Sequence, residues 1–88
     1  VISMETAQEF QKLRINTKIT HLNMAGEFIA ERIFLNNRVH LYLYNGFFVE
    51  VWMRIGFEEV YAVDVAPNRS VRDAYLGKID LKKLGLDL

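Results

Sequence analysis

The sequence predicts an α+β fold: one small domain, residues 1–88, with an N-terminal helix, a four-stranded antiparallel β-meander and a C-terminal helix. Three features predict it. Asn45-Gly46 lies between VHLYLY and FFVEVWM, and both turn residues tolerate the positive φ of a type I′ hairpin turn. The flanking runs are β-branched and aromatic, types that suit a pleated, half-buried surface. Asn36-Asn37 on one side and Gly56-Phe57 on the other give the chain two further places to reverse. Apolar residues at helical spacing stand near both ends, as Ala7, Phe10 and Leu13 and as Val71, Ala74 and Tyr75.

In chain order, Thr6-Ala-Gln-Glu9 fits a capping box, with Thr6 and Glu9 each bonding the other's backbone amide. The helix it opens is expected to end near Arg14, before the β-favouring Ile15-Asn16-Thr17, and Lys18 to Met24 can add a second short helical turn. Gly26 to Leu35 reads as the first strand. The competing helix would align Leu22, Ala25, Ile29 and Ile33, but Asn36-Asn37 directly before the main hairpin favours a reversal there. Gly56-Phe57 suits a type II′ turn leading into VYAVDVA, which Pro67 terminates because it lacks an N–H. Ser70 is the expected N-cap of the last helix, with Asp73 in its first turn and Gly77 at its C-terminal stop. Asp80 to Leu84 can add a further turn.

Composition narrows the function. Eleven basic and eleven acidic residues cancel to a net charge of +0. The sheet region 36–66 has two Arg against three Glu and one Asp, the opposite of the basic footprint that nucleic acid requires. The aromatics therefore do not read as an RNA-stacking platform, and no nucleic-acid partner is expected. Without cysteine there are no disulfides or thiolate metal sites, which fits a cytoplasmic setting. No apolar run approaches the ~18 residues of a membrane span. VISMETAQ lacks the pattern of a signal peptide, and Met4 offers a natural start.

Two-residue loops at 36–37, 45–46 and 56–57 set the expected register, and register sets which side chains share a face. One face then carries the rows Phe34, Val39, Trp52, Tyr61; Arg32, Leu41, Glu50, Val63; and Ala30, Leu43, Phe48, Val65. The other carries Ile33, His40, Val51, Ala62; Glu31, Tyr42, Val49, Asp64; and Ile29, Tyr44, Phe47. Both faces are mostly apolar, whereas a sheet with one wet face alternates cleanly. Two short helices on one face would leave the other exposed, and soluble monomers rarely tolerate so large an apolar surface. The expectation is that the helices cover Val49, Val51 and Ala62, and that a protein partner covers Phe34, Leu41, Phe48, Glu50, Trp52, Tyr61 and Arg32. In the alternative, the helices take the Trp52 face and the Tyr42 face is half wet.

Glu50 is the odd residue within FFVEVW. Buried alone it would cost several kcal/mol, so it requires water or a cation, either Arg32 of the same chain or an Arg of a second subunit. Arg54 and Glu59 are expected to form an exposed cross-strand pair. His40, Tyr42, Glu31 and Asp64 form the alternative ligand face, where a His beside two carboxylates can do acid–base work. A lone His between Leu and Val neighbours is more simply a packed rim residue, and spacing across three strands is no motif. No catalytic residue, metal or cofactor is expected.

The run GFFVEVWM followed by AYLGKIDL resembles a group of short bacterial proteins in which an F-F-V-E-V-[WY] strand precedes a Y-L-x-x-I-D helix end. The likeness extends over residues 26–84 through Glu50, Tyr75, Ile79 and Asp80, and departs from the group at Ile55-Gly56-Phe57, where a more polar turn is usual. It implies the fold order and no activity. Two functions remain: a non-catalytic protein–protein interaction module, a homodimer or a subunit of a bacterial complex, or a small-ligand binder or enzyme using the His40/Tyr42/Asp64 face.

Overall fold

The computed structural model describes residues 5–78. Helices α1 (Ala7–Gln11) and α2 (Ile15–Ala25) precede strands β1 (Glu27–Phe34), β2 (Asn37–Tyr44), β3 (Phe47–Arg54) and β4 (Val60–Ala66), and α3 (Asn68–Ala74) follows them. The strands form one antiparallel meander in the order β1-β2-β3-β4. The segment expected as the first strand, 26–35, is therefore strand over Glu27–Phe34 rather than helix.

The Thr6 capping box forms as expected: the Glu9 amide donates to Thr6 Oγ1 at 3.1 Å and the Thr6 amide to Glu9 Oε1 at 2.9 Å. The helix ends at Gln11 with Lys12 as its C-cap, short of Arg14, and α2 begins at Ile15. The β preference of Ile15-Asn16-Thr17 is overridden by packing, because Ile15, Ile19 and Leu22 recur on one helical face and seat against the sheet. Gly26 closes α2 in an extended conformation, at a position where a Cβ would lie 2.7 Å from the Leu22 carbonyl oxygen.

The central hairpin has the expected register, with Tyr44 opposite Phe47 and Val39 opposite Trp52. Asn45 and Gly46 take φ of 49° and 83° in its turn. The first hairpin differs: its turn is Leu35-Asn36, Phe34 pairs with Asn37, and Arg32 rather than Phe34 stands opposite Val39. Leu35 takes the left-handed conformation (φ 54°) instead of an Asn. A slip of two residues leaves Ala30 to Phe34 on their expected faces, but a bulge between Phe28 and Ala30 turns Ile29, expected beside Tyr44 and Phe47, onto the face of Leu41 and Phe48.

The third hairpin differs more deeply. Residues 55–59 make a longer connection in place of a two-residue turn, with Gly56 and Glu58 both at positive φ. A bulge follows, so that Met53 pairs with Val60 but Trp52 with Ala62. The extra residue, Tyr61, moves the rest of β4 by one and exchanges its faces. Val63 and Val65 pair with Val51 and Val49, whereas Asp64 stands opposite Glu50 and Ala62 opposite Trp52. Arg54 lies with its guanidinium 5.4 Å from the Tyr61 ring centroid, the contact it makes in place of the expected pairing with Glu59.

The helices divide between the two faces. On one, α1 and α2 bury Phe10, Leu22, Tyr44, Val49, Val51 and Val63. On the other, α3 buries Leu41, Phe48, Ala66, Val71 and Tyr75. The expectation that helices cover one face only is corrected here. β4 ends at Ala66, opposite Phe48, and Pro67 caps α3 directly, so the chain enters the helix over Phe48. Ser70 lies inside the first turn and is not the cap. Gly77 takes φ 78° just beyond α3, where the Lys78 amide bonds the Tyr75 carbonyl at 2.9 Å. The further turn expected at 80–84 lies outside the described residues.

Candidate interaction surface

The face occupied by α3 has two halves. Under α3, Leu41 and Phe48 are fully buried by the chain itself, so these two members of the expected partner surface belong to the core. Beyond α3 the face opens around Arg32, Phe34 and Trp52. Register places Arg32 and Trp52 on either side of the buried Val39. The Arg32 guanidinium lies 5.2 Å from the Trp52 ring centroid, 5.6 Å from that of Phe34 and 5.5 Å from that of Tyr75. Phe34 meets Trp52 edge to face at 6.2 Å.

Glu50 anchors this group. Arg32 Nε donates to Glu50 Oε2 at 3.0 Å, and the Tyr75 hydroxyl donates to the same oxygen at 2.7 Å. Arg32, one of the two cations the sequence offered for Glu50, is its partner here. Tyr75 was not foreseen as a ligand, because it reads as one more apolar residue of a helix stripe. Burial draws the Arg32 pKa down, but its bond and attraction to Glu50 outweigh this and hold it above the ordinary arginine value. Burial, then the bond to Glu50, pushes the Tyr75 hydroxyl far above its ordinary value. No buried side-chain nitrogen or oxygen among the described residues lacks a hydrogen-bond partner.

Further along the same end, the Tyr61 hydroxyl donates to Asn37 Oδ1 at 2.6 Å while its ring rests on Arg54. The Ile55 amide bonds the Asn36 carbonyl at 2.8 Å and ties together the turns that follow β1 and β3. Leu35, Asn36, Asn37, Arg54, Ile55 and Phe57 line a cleft of about 580 Å³ there. Leu35 is 80% exposed and Phe57 75%; Ile33, Phe34, Ile55 and Tyr61 are exposed as well. Of the nine exposed large apolar residues among those described, these six sit at one end of the sheet. Such concentration is unlike the scattered single residues of an ordinary surface.

The alternative ligand face is only partly assembled. His40 Nε2 and Glu31 Oε2 are 2.7 Å apart, and Arg38 Nε approaches the same oxygen at 3.4 Å. Tyr42 and His40 line a cleft of about 170 Å³ with Leu22, Asn23 and Val51, below the ~300–1,000 Å³ typical of ligand pockets. Asp64 is not in the group: the β4 bulge places it opposite Glu50, and its Oδ1 accepts from Gln11 Nε2 at 2.9 Å. A polar cluster that sequence reasoning missed joins three distant segments. Glu5 Oε1 lies 3.0 Å from His21 Nδ1 and accepts from the Tyr44 hydroxyl at 2.9 Å. Burial and this bond raise the Tyr44 pKa. Among the described residues no three His, Cys, Asp or Glu gather as a metal site.

Comparison of the chain with protein-family models, curated proteins and solved structures finds no match. No helix among the described residues is long and apolar enough to cross a membrane.

Proposed function

We propose that the chain is a non-catalytic protein–protein interaction module, a homodimer or a subunit of a bacterial cytoplasmic complex. One observation carries this reading: the exposed side chains of Ile33, Phe34, Leu35, Ile55, Phe57 and Tyr61 concentrate at one end of the sheet, beside the half-buried Trp52. Aromatics with two neighbouring Arg make the composition of an interface centre. The polar groups beneath are already paired with one another, as Arg32–Glu50–Tyr75. The surface therefore offers a partner fixed aromatic rings rather than a free nucleophile or base.

Trp52→Ala is expected to weaken association by about 2 kcal/mol, the cost typical of a truncated aromatic anchor. Val51→Ala opens a cavity in the α2 core and is expected to lower stability while leaving association intact. Light scattering with concentration-dependent melting reads self-association, and affinity capture from the native host reads other partners. A wild type that is monomeric at high concentration and captures nothing, with Trp52→Ala lowering only the melting temperature, would assign Trp52 to the core and defeat the proposal.

A further inference from the structure

The two edges of the sheet are finished differently. Along β4, the Val65 amide donates to Gln11 Oε1 at 2.8 Å and the Val63 carbonyl accepts from Lys18 Nζ at 2.8 Å. Lys18 is 7% exposed, so its ammonium is fixed against that edge. Side chains of α1 and α2 thus occupy the backbone groups with which an added strand would pair.

β1 is the other edge, and its outward groups can be identified. Phe34 and Asn37 close the first hairpin, so Phe34 and Arg32 turn their backbone groups toward β2, whereas Glu31 and Ile33 turn theirs outward. The one outward contact among the described residues runs from Lys78 Nζ to the Glu31 carbonyl, at 3.3 Å and exposed to water. β1 contains neither Pro nor Lys, the residues that commonly blunt an edge, and its bulge lies between Phe28 and Ala30, clear of Glu31 and Ile33.

We propose that β1 is a pairing edge at which a second copy of the chain adds antiparallel across Glu31 and Ile33, joining two four-stranded sheets into one. The inference goes beyond the reading of the chain as an interaction module, because the copy adds at the β1 edge and leaves the Trp52 surface open to a further partner. Charge favours a copy. Each charged side chain near the centre of β1 is neutralised within its own chain, Glu31 by Arg38 with His40 beside it and Arg32 by Glu50, and the net charge of the whole chain is +0. Pairing Glu31 with Ile33 sets the two Arg32 side chains opposite each other across the axis, and the Glu50 that each holds in its own chain offsets their repulsion. An antiparallel strand pair is also its own two-fold mate, so each copy donates and accepts the same groups. The exposed Phe28 and Ile33 on one face and Phe34 on the other become flanked by the partner strand. The two-fold axis stands perpendicular to the sheet, so both Trp52 surfaces come to lie on one side of the joined sheet.

The test uses the whole chain as wild type, Ile33→Pro and Trp52→Ala, with sedimentation velocity over a wide concentration range and amide hydrogen exchange of the wild type. Wild type is expected to dimerise, with the Glu31 and Ile33 amides slowing roughly tenfold or more as concentration rises. The Val65 amide is expected to be slow throughout. Ile33→Pro removes an outward donor and is expected to weaken the dimer roughly tenfold or more. A wild type monomeric at every concentration overturns the proposal. So does Glu31 and Ile33 protection independent of concentration, which would mean that the chain covers its own edge. A dimer that survives Ile33→Pro but is lost in Trp52→Ala also overturns it, while leaving the interaction-module reading in place. Capture of a host protein by a monomeric wild type, but not by Trp52→Ala, would likewise separate the two readings.

Discussion

The two faces of this sheet are built from similar residues and covered to different extents. One lies under α1 and α2, which together with β2, β3 and β4 enclose Phe10, Leu22 and Val49. Among the described residues the other lies under α3 alone, whose seven residues rise about 10 Å, while an eight-residue strand extends about 26 Å. A helix of that length protects Leu41 and Phe48 and leaves Trp52 and Phe34 beyond its reach. The open half is therefore a consequence of helix length rather than of polarity, since the strands remain as apolar there as beneath the helix. An apolar surface left open by architecture, with its charges already paired, is suited to a partner.

The sharpest way to break this comparison is to truncate the central aromatic of each face. Phe10→Ala and Phe48→Ala are both fully buried changes and should each cost about 3–5 kcal/mol in denaturant titrations. Should Phe48→Ala cost less than about 1 kcal/mol, the packing of α3 on its face would be refuted. Arg32→Ala comes next, at about 3 kcal/mol, because it leaves the partly buried Glu50 with only the Tyr75 hydroxyl.

An alkaline titration sharpens the same face more gently. The folded Tyr75 holds its proton more tightly than the unfolded chain does, because burial and Glu50 disfavour the phenolate. Its contribution is fully present below the ordinary value of 10.0 and is lost as pH rises above it. Urea midpoints should thus be steady up to that pH and fall beyond it. Tyr75→Phe should flatten part of the fall, with Tyr44 supplying the remainder.

How much of this was legible beforehand follows the distance over which each feature is decided. The Thr6 box and the Asn45-Gly46 hairpin are settled within a few residues, by side-chain caps and positive φ, and both stand as read. Glu50 declared its need for a cation because a carboxylate amid Val and Trp has no other inexpensive state, and Arg32 was the cation on the same face. The Tyr61 bulge was not legible: it depends on Glu58 taking a left-handed conformation in a loop whose length no single turn pair specifies. Missing it carried Asp64 to the wrong face and made the His40 cluster look richer than it is. Nor could periodicity say that α3 crosses to the side opposite α1 and α2. That choice rests on where β4 ends over Phe48, a contact between segments far apart in sequence.

The ammonium of Lys18 at the Val63 carbonyl has a kinetic meaning as well. The meander can zip by neighbouring hairpins, each closing a short loop, but Lys18 and Gln11 reach their partners only across 45 and 54 residues. Loop closure over such spans is costly until the intervening strands are in place. The first helices therefore lock onto the last strand late, as a clasp on a sheet already assembled. Lys18→Met should leave the folding rate nearly unchanged and accelerate unfolding, with a loss of about 1–2 kcal/mol appearing almost wholly in the unfolding limb of the chevron. A slowed folding limb would instead place α2 and β4 together in the nucleus.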